Sequence, residues 1–227
     1  MTAALVLSGS RHYGDPWHPF AETSARIAEL LHDGGIRTEI SGDVDERMAE
    51  LGVHYPDLLV LNIGDPALNF PDQRNAYAEA AARTGLLAYL AAGRPLLGVH
   101  CSSTSLRGVP EWRDIIGGVW VRGRSYHPDY GPLAVSVNRL AQPVTAGLDD
   151  FEVIDERYSD LSFAPGNVVI ASQFDGALEH PLVWARSYGS AAARVVCDTL
   201  GHDVASFDSE GHRALFHRYV DWLLSRV

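Results

Sequence analysis

The segment Arg94-Pro-Leu-Leu-Gly-Val-His-Cys-Ser-Ser-Thr-Ser105 constrains this chain more than any other. Its apolar run, Leu96 to Val99, stops at His100 and passes into small polar residues. An unbroken apolar run of strand length is what a parallel strand covered by helices on both faces requires. In an open α/β sheet, ligands bind at the carboxyl ends of such strands. The spelling Gly98-Val99-His100-Cys101-Ser102 also fits a nucleophile elbow. There the tip residue is held in a strained conformation and the residues two before and two after it must be small. A histidine stands at this tip. Moving the tip to Cys101 would set the bulky Val99 two positions before it, so Cys101 reads as a small buried filler.

The rest of the first half repeats the pattern. Ala3–Leu7, Ile36–Ile40 and Leu58–Asn62 read as strands, and the first and third end in polar turns, Ser8-Gly9-Ser10 and Asn62-Ile-Gly-Asp65. Helices are expected over Glu22–Leu31, stopped by Gly34-Gly35, from a cap at Asp43 to Leu51, and over Asn75–Ala92, closed by Gly93. Strands alternating with helices predict a parallel, doubly wound sheet. After the elbow comes a short helix, Pro110–Ile116, and a long connection to Tyr130 holding Trp120, Arg122, Arg124 and His127. Leu133–Val137, Phe151–Ile154, Val168–Phe174, Leu182–Tyr188 and Arg194–Asp198 read as strands joined by short turns. Short turns favour antiparallel pairing, because a parallel crossover needs a dozen or more residues. Gly211–Leu224 is an amphipathic helix. With no repeat or Gly/Ser linker, residues 1–227 read as one domain.

Composition excludes several classes of partner. The formal net charge of -11 argues against nucleic acid and anionic membrane surfaces. The apolar runs are too short to span a bilayer. The N-terminus passes into a strand with no basic region ahead of it, so no signal peptide is expected. Two cysteines, Cys101 and Cys197, make no disulfide framework, and a reduced, cytoplasmic protein is the expectation.

Gln142-Pro-Val-Thr-Ala-Gly-Leu-Asp-Asp-Phe-Glu-Val-Ile-Asp-Glu-Arg-Tyr158, His180-Pro-Leu-Val-Trp184 and Arg194-Val-Val-Cys-Asp-Thr-Leu-Gly-His202 resemble the ThuA-like (trehalose utilisation) family, as do His18-Pro-Phe20 and Gly98-Val-His100. That family commonly shows a Pro-[Val/Ile]-x-x-Gly-Leu segment, an Asp-Glu-x-Tyr motif, a Pro-Val-x-Trp strand and a terminal Leu-Gly-His. The resemblance implies an α/β fold of the class I glutamine amidotransferase-like superfamily. This is a flavodoxin-like three-layer sandwich, with a parallel central sheet and an antiparallel extension in the second half. It implies a link to sugar metabolism, and no amidotransfer, since the family commonly lacks the catalytic cysteine at its elbow. Arg186-Ser-Tyr-Gly189 departs from the family by lacking a basic Gly-Lys-Gly turn.

The candidate site gathers at strand ends. His100, at the elbow tip, is expected to present an imidazole, a side chain suited to proton transfer, to the crevice. His202 follows a glycine at the end of the last strand and matches the family's terminal motif. Asp155 and Glu156 end a strand, so alternation sends them to opposite faces. Glu156 is assigned to the site with Tyr158 beside it, and Asp155 to fixing a loop. His100, His202 and Glu156 are the catalytic candidates; His18, His127, Tyr158 and Asp65 are the substrate-binding ones. His12, His32, His54, His180, His212 and His217 are left as surface or structural. Trp17, Trp120 and Trp184 are candidates for an aromatic floor under a sugar, or for core packing.

Two chemistries suit this set. One is general acid–base catalysis on a sugar or keto-sugar, with His100 and His202 exchanging protons and Glu156 orienting or acting as base. The other is a divalent metal such as Zn²⁺ held by the same residues, although no compact His-Glu-x-x-His spacing exists. A non-catalytic sugar-binding accessory role is the reading from another class. The expected partner is a small sugar ligand, with homo-oligomerisation left open. No cofactor is assigned.

Overall fold

The computed structural model describes all 227 residues. In chain order the elements are β1 (Ala3–Ser8), α1 (Phe20–Asp33), β2 (Arg37–Ser41), α2 (Val44–Glu50), β3 (Leu58–Asn62), α3 (Pro66–Asn69), α4 (Ala76–Ala91), β4 (Leu96–Val99), α5 (Trp112–Ile116) and β5 (Gly118–Val119). They continue with β6 (Gly131–Val137), β7 (Phe151–Asp155), β8 (Ser162–Phe163), β9 (Val168–Phe174), β10 (Glu179–Tyr188), β11 (Ala193–Asp198) and α6 (Glu210–Leu223). The main sheet has the order β2-β1-β3-β4-β11-β10-β9-β6-β7, and β5 pairs separately with β8.

The parallel half owes its apolar runs to burial on both faces. Ala4, Val6, Leu58, Val60, Leu97, Val99 and Val196 point to one face, where Ile27, Leu30 and Leu31 of α1 and Leu215, Phe216 and Tyr219 of α6 cover them. Their alternates Leu5, Leu7, Leu59, Leu61, Leu96, Val195 and Cys197 point to the other, under Val44 and Met48 of α2 and Leu86, Tyr89 and Leu90 of α4. A period of two along each strand thus feeds two cores, and polar positions are confined to strand ends. This is the mostly parallel α/β sheet, flanked by helices and extended by antiparallel strands, that the sequence predicts.

Two expectations are corrected. β11 is antiparallel to β10 but parallel to β4, so it completes the order 2-1-3-4-11 of a five-stranded parallel half. The long excursion between β4 and β11 serves as the crossover, and the β10–β11 hairpin delivers the last strand in the right direction. Asp43 stands at the start of α2 but makes no side-chain cap; its carboxylate pairs with Arg11 at 3.1 Å. Asn75 and Ser209 do cap α4 and α6 through their side chains.

The antiparallel strands carry one consequence for function. Counting alternations from β11 through β10, β9 and β6, strand β7 runs in the same direction as β11. Its carboxyl end therefore lies at the same edge as those of β1, β3, β4 and β11. The β6–β7 ribbon folds back so that Leu133, Val135 and Val153 join the core beneath α6. No helix is long and apolar enough to cross a membrane.

Candidate functional site

A crevice of about 570 Å³ opens at that shared edge. Asp15, His18, Asp65, Cys101, Arg107, Trp120, Arg122, His127, Glu156, Tyr158 and His202 are among its walls. A second groove, of about 440 Å³ along β2, is lined by Arg47, Glu50 and Tyr55 and brings no comparable cluster together.

The floor is built from the elbow. His100 has φ of +46°, in the left-handed region that side chains rarely adopt, as the tip position demands. A Cβ on Gly98 would meet Ile116 Cδ1 at 2.6 Å, so the residue two before the tip has no room for a side chain. Ser102, two after it, donates to the Leu61 carbonyl at 2.6 Å and accepts from Ile63 N–H at 3.2 Å, pinning the turn to β3. The buried His100 ring is oriented by its Nδ1, which donates to the Thr199 carbonyl at 2.8 Å. Its Nε2 is left facing the Tyr158 hydroxyl at 3.2 Å and Glu156 Oε2 at 3.4 Å.

Asp155 and Glu156 divide as alternation predicts. The fully buried Asp155 accepts from Gly201 N–H at 2.7 Å and His202 N–H at 3.3 Å, holding the loop after β11. Gly201, with φ of +99°, turns that loop and presents His202. Glu156 reaches inward: His202 Nδ1 lies 3.4 Å and His127 Nε2 3.7 Å from its Oε1. Burial alone would raise the Glu156 pKa, but the surrounding imidazoles outweigh it and hold the carboxyl well below its usual range. Burial likewise disfavours charge on His202, yet Glu156 more than compensates and raises its pKa.

His18 enters from the loop after β1. Its Nδ1 sits 2.8 Å from the Asp15 carboxylate, which also accepts from Trp17 and His18 N–H. The ring centroid lies 5.0 Å from those of both His100 and His202. Burial lowers the His18 pKa in spite of Asp15. His127 stacks on Tyr158 and its side chain is 39% exposed, so it stands at the mouth of the crevice. Tyr158 is buried, and burial pushes its hydroxyl pKa well up.

Five of the other six predicted site residues, His18, His100, His127, Tyr158 and His202, therefore gather about Glu156. Asp65 does not. It is in the wall, with its carboxylate engaged by Ala67 N–H and by Arg107 Nε at 2.5 Å. Trp120 lies edge-on against Tyr158 inside the crevice, and Trp17 is 65% exposed at its rim. Trp184 is fully buried and donates to the Ile116 carbonyl at 2.7 Å, so it is core and not floor. Cys101 is buried, with its thiol donating to the Ile63 carbonyl, and burial pushes its pKa well up. Asp15, Arg107 and Arg122 were not among the sequence candidates. An acid three residues before a loop histidine is the one signal that would have singled out Asp15; Arg107 and Arg122 had none. His12, His180 and His212 pair with Asp45, Asp175 and Asp198 away from this floor.

Comparison with known proteins places the fold. No curated protein matches the chain in sequence. Among solved structures, a ThuA-like protein from Parabacteroides merdae superposes with a TM-score of 0.74 at 17% identity, covering 99% of this chain and 90% of that one. Another from Bacteroides uniformis gives 0.72 at 16% identity, over 98% and 91%. A glutamine amidotransferase from Thermotoga maritima gives 0.60 at 8% identity, over 98% of each. These likenesses establish the fold, the glutamine amidotransferase-like one. The sequence model of the ThuA family, described as trehalose utilisation, matches residues 4–223, and the chain belongs to that family.

Proposed function

We propose that this protein is an enzyme of carbohydrate turnover that binds a sugar or keto-sugar in the crevice and moves protons on it at the His–Glu floor. The observation that carries the reading is the convergence of His100, His127 and His202 on one buried carboxylate, Glu156. A carboxylate held charged orients the imidazole beside it and raises that imidazole's pKa, an arrangement suited to proton transfer in isomerisation, elimination or hydrolysis next to a carbonyl. The crevice volume falls in the range of small-ligand sites. Trp17 and Trp120 offer flat faces to sugar C–H groups, and Asn69, Arg107 and Arg122 offer donors to hydroxyls. The family's description, trehalose utilisation, supports a disaccharide or its derivative as substrate.

Amidotransfer is not part of the proposal. A histidine occupies the elbow tip, and the neighbouring thiol is buried and directed at a backbone carbonyl. A divalent metal on the same residues is the second reading, favoured by the buried His202 Nδ1, which makes no hydrogen bond. The test is to incubate the protein with trehalose, other disaccharides and their 3-keto derivatives and to follow products by NMR. Turnover that is lost in His202→Ala supports the enzyme reading. Sugar binding without turnover, retained in His100→Ala and His202→Ala, would overturn it in favour of an accessory, sugar-binding role.

A further inference from the structure

We infer that His18, His100, Glu156 and His202 form a binding site for one divalent first-row transition-metal ion on the crevice floor. One donor atom from each of the four lies within 4.8 Å of the others. Donors about 2.1 Å from a common tetrahedral centre sit roughly 3.4 Å apart. The two Glu156 oxygens already stand 3.4 Å from His100 Nε2 and 3.4 Å from His202 Nδ1.

The hydrogen bonds behind these donors argue the same way. His18 Nδ1 is held by Asp15 and His100 Nδ1 by the Thr199 carbonyl, which leaves Nε2 as the atom each ring can offer to an ion. Ligating imidazoles are oriented by such outer partners, a carboxylate or a backbone carbonyl on the other nitrogen. His202 Nδ1 is buried and makes no hydrogen bond, the nearest carboxylate oxygen, Glu156 Oε1, standing 3.4 Å away. A buried polar atom in that condition calls for a partner, and an ion supplies one. The three rings meet edge-on, with centroids 5.0, 5.0 and 5.3 Å apart and interplanar angles of 60°, 66° and 79°, so they do not stack on one another.

Three imidazoles and one carboxylate favour Zn²⁺, Co²⁺, Ni²⁺, Mn²⁺ or Fe²⁺ over Mg²⁺ and Ca²⁺, which prefer all-oxygen shells. Cys101 is left out because its thiol is committed to Ile63, and Asp15 because it serves as the outer partner of His18. His127, 39% exposed at the crevice mouth, is also outside the set. The inference deepens the active-site reading and rests on it for the chemistry. An ion here would polarise a carbonyl or hydroxyl oxygen of the bound sugar.

The experiment uses full-length protein without a histidine tag, stripped with chelator, dialysed and titrated with Co²⁺. Visible absorption and metal content are the readouts. One Co²⁺ per chain, displaced by Zn²⁺, is expected. Glu156→Gln, His18→Ala and His202→Ala should each abolish or severely weaken binding, and Asp15→Asn should weaken it about 10–100-fold. His12→Ala and His127→Ala should bind as the wild type does. The near-isosteric Glu156→Gln, with an unchanged melting temperature in the stripped form, separates lost ligation from lost folding. Substoichiometric binding, or binding kept in His18→Ala/His202→Ala, overturns the inference. So does full sugar turnover by stripped protein in excess chelator, an outcome that leaves the enzyme reading intact. Stoichiometric metal with no turnover of any sugar would uphold the ion site and count against the enzyme reading alone.

Discussion

His100 occupies backbone space that few side chains accept, and it does so at the point where β4 hands the chain to the crevice. Asparagine tolerates that conformation but has no imidazole. His100→Asn is therefore expected to keep the fold while lowering sugar turnover by about 100-fold or more, measured as kcat/KM beside a thermal melt. A parallel collapse of the melt would mean that the ring serves the turn. A second histidine acts on stability alone. His212 is fully buried, with Nε2 2.9 Å from Asp198, which also accepts from the Tyr219 hydroxyl at 2.8 Å. Burial would lower its pKa, but Asp198 outweighs burial and raises it. A raised folded pKa means that the charged pair contributes fully below the unfolded value of about 6.5 and fades as pH climbs through the folded one. The stability advantage of wild type over His212→Gln, from urea unfolding, should be largest near pH 6 and shrink toward pH 9. An advantage that does not change with pH would refute this pairing.

At the scale of elements, α2 and α4 pack through a glycine. A Cβ on Gly85 would lie 2.0 Å from the Met48 carbonyl oxygen and 2.8 Å from that of Ala49. Both obstacles are backbone and cannot swing aside. Gly85→Ala, favourable for an isolated helix, is expected to cost about 1–3 kcal/mol here because α4 must move off α2. Denaturant unfolding decides it, and a stabilised variant would show that the two helices separate freely. The β7 carboxyl end is the other element on which the site depends. Asp155 clamps the Gly201–His202 loop, and Glu156, one residue on, faces the imidazoles. Adjacent residues of one strand end thus do opposite jobs, one holding a ligand-bearing loop in place and the other entering the crevice.

At the scale of the molecule, both cysteines are buried, with Cys197 in the core on β11 and Cys101 in the elbow at the crevice wall. Neither is paired in a disulfide. An aromatic disulfide reagent such as DTNB should therefore modify both only as fast as the native protein opens, with reaction speeding up in step with urea unfolding. Fast modification of Cys101 in the folded protein would mean that the crevice floor opens locally, and would reopen the thiol as a participant.

Local pattern determined a large part of this protein. Strand-length apolar runs marked β1, β3, β4 and β11, because burial on two faces leaves no polar position until the strand ends. The small-x-His-x-small spelling placed His100 at a strained tip, and alternation separated Asp155 from Glu156. These are properties of short segments, set by the strand period and by steric demands on two or three residues. Only the tertiary structure decided that β11 lies parallel to β4, and that the β6–β7 ribbon folds back to bring Glu156 beside His202. It also decided that His18 with Asp15 closes the fourth side of the floor, whereas Asp65 is taken up by Arg107. Those outcomes depend on strand order and on contacts between residues dozens of positions apart, for which periodicity along the chain carries no signal.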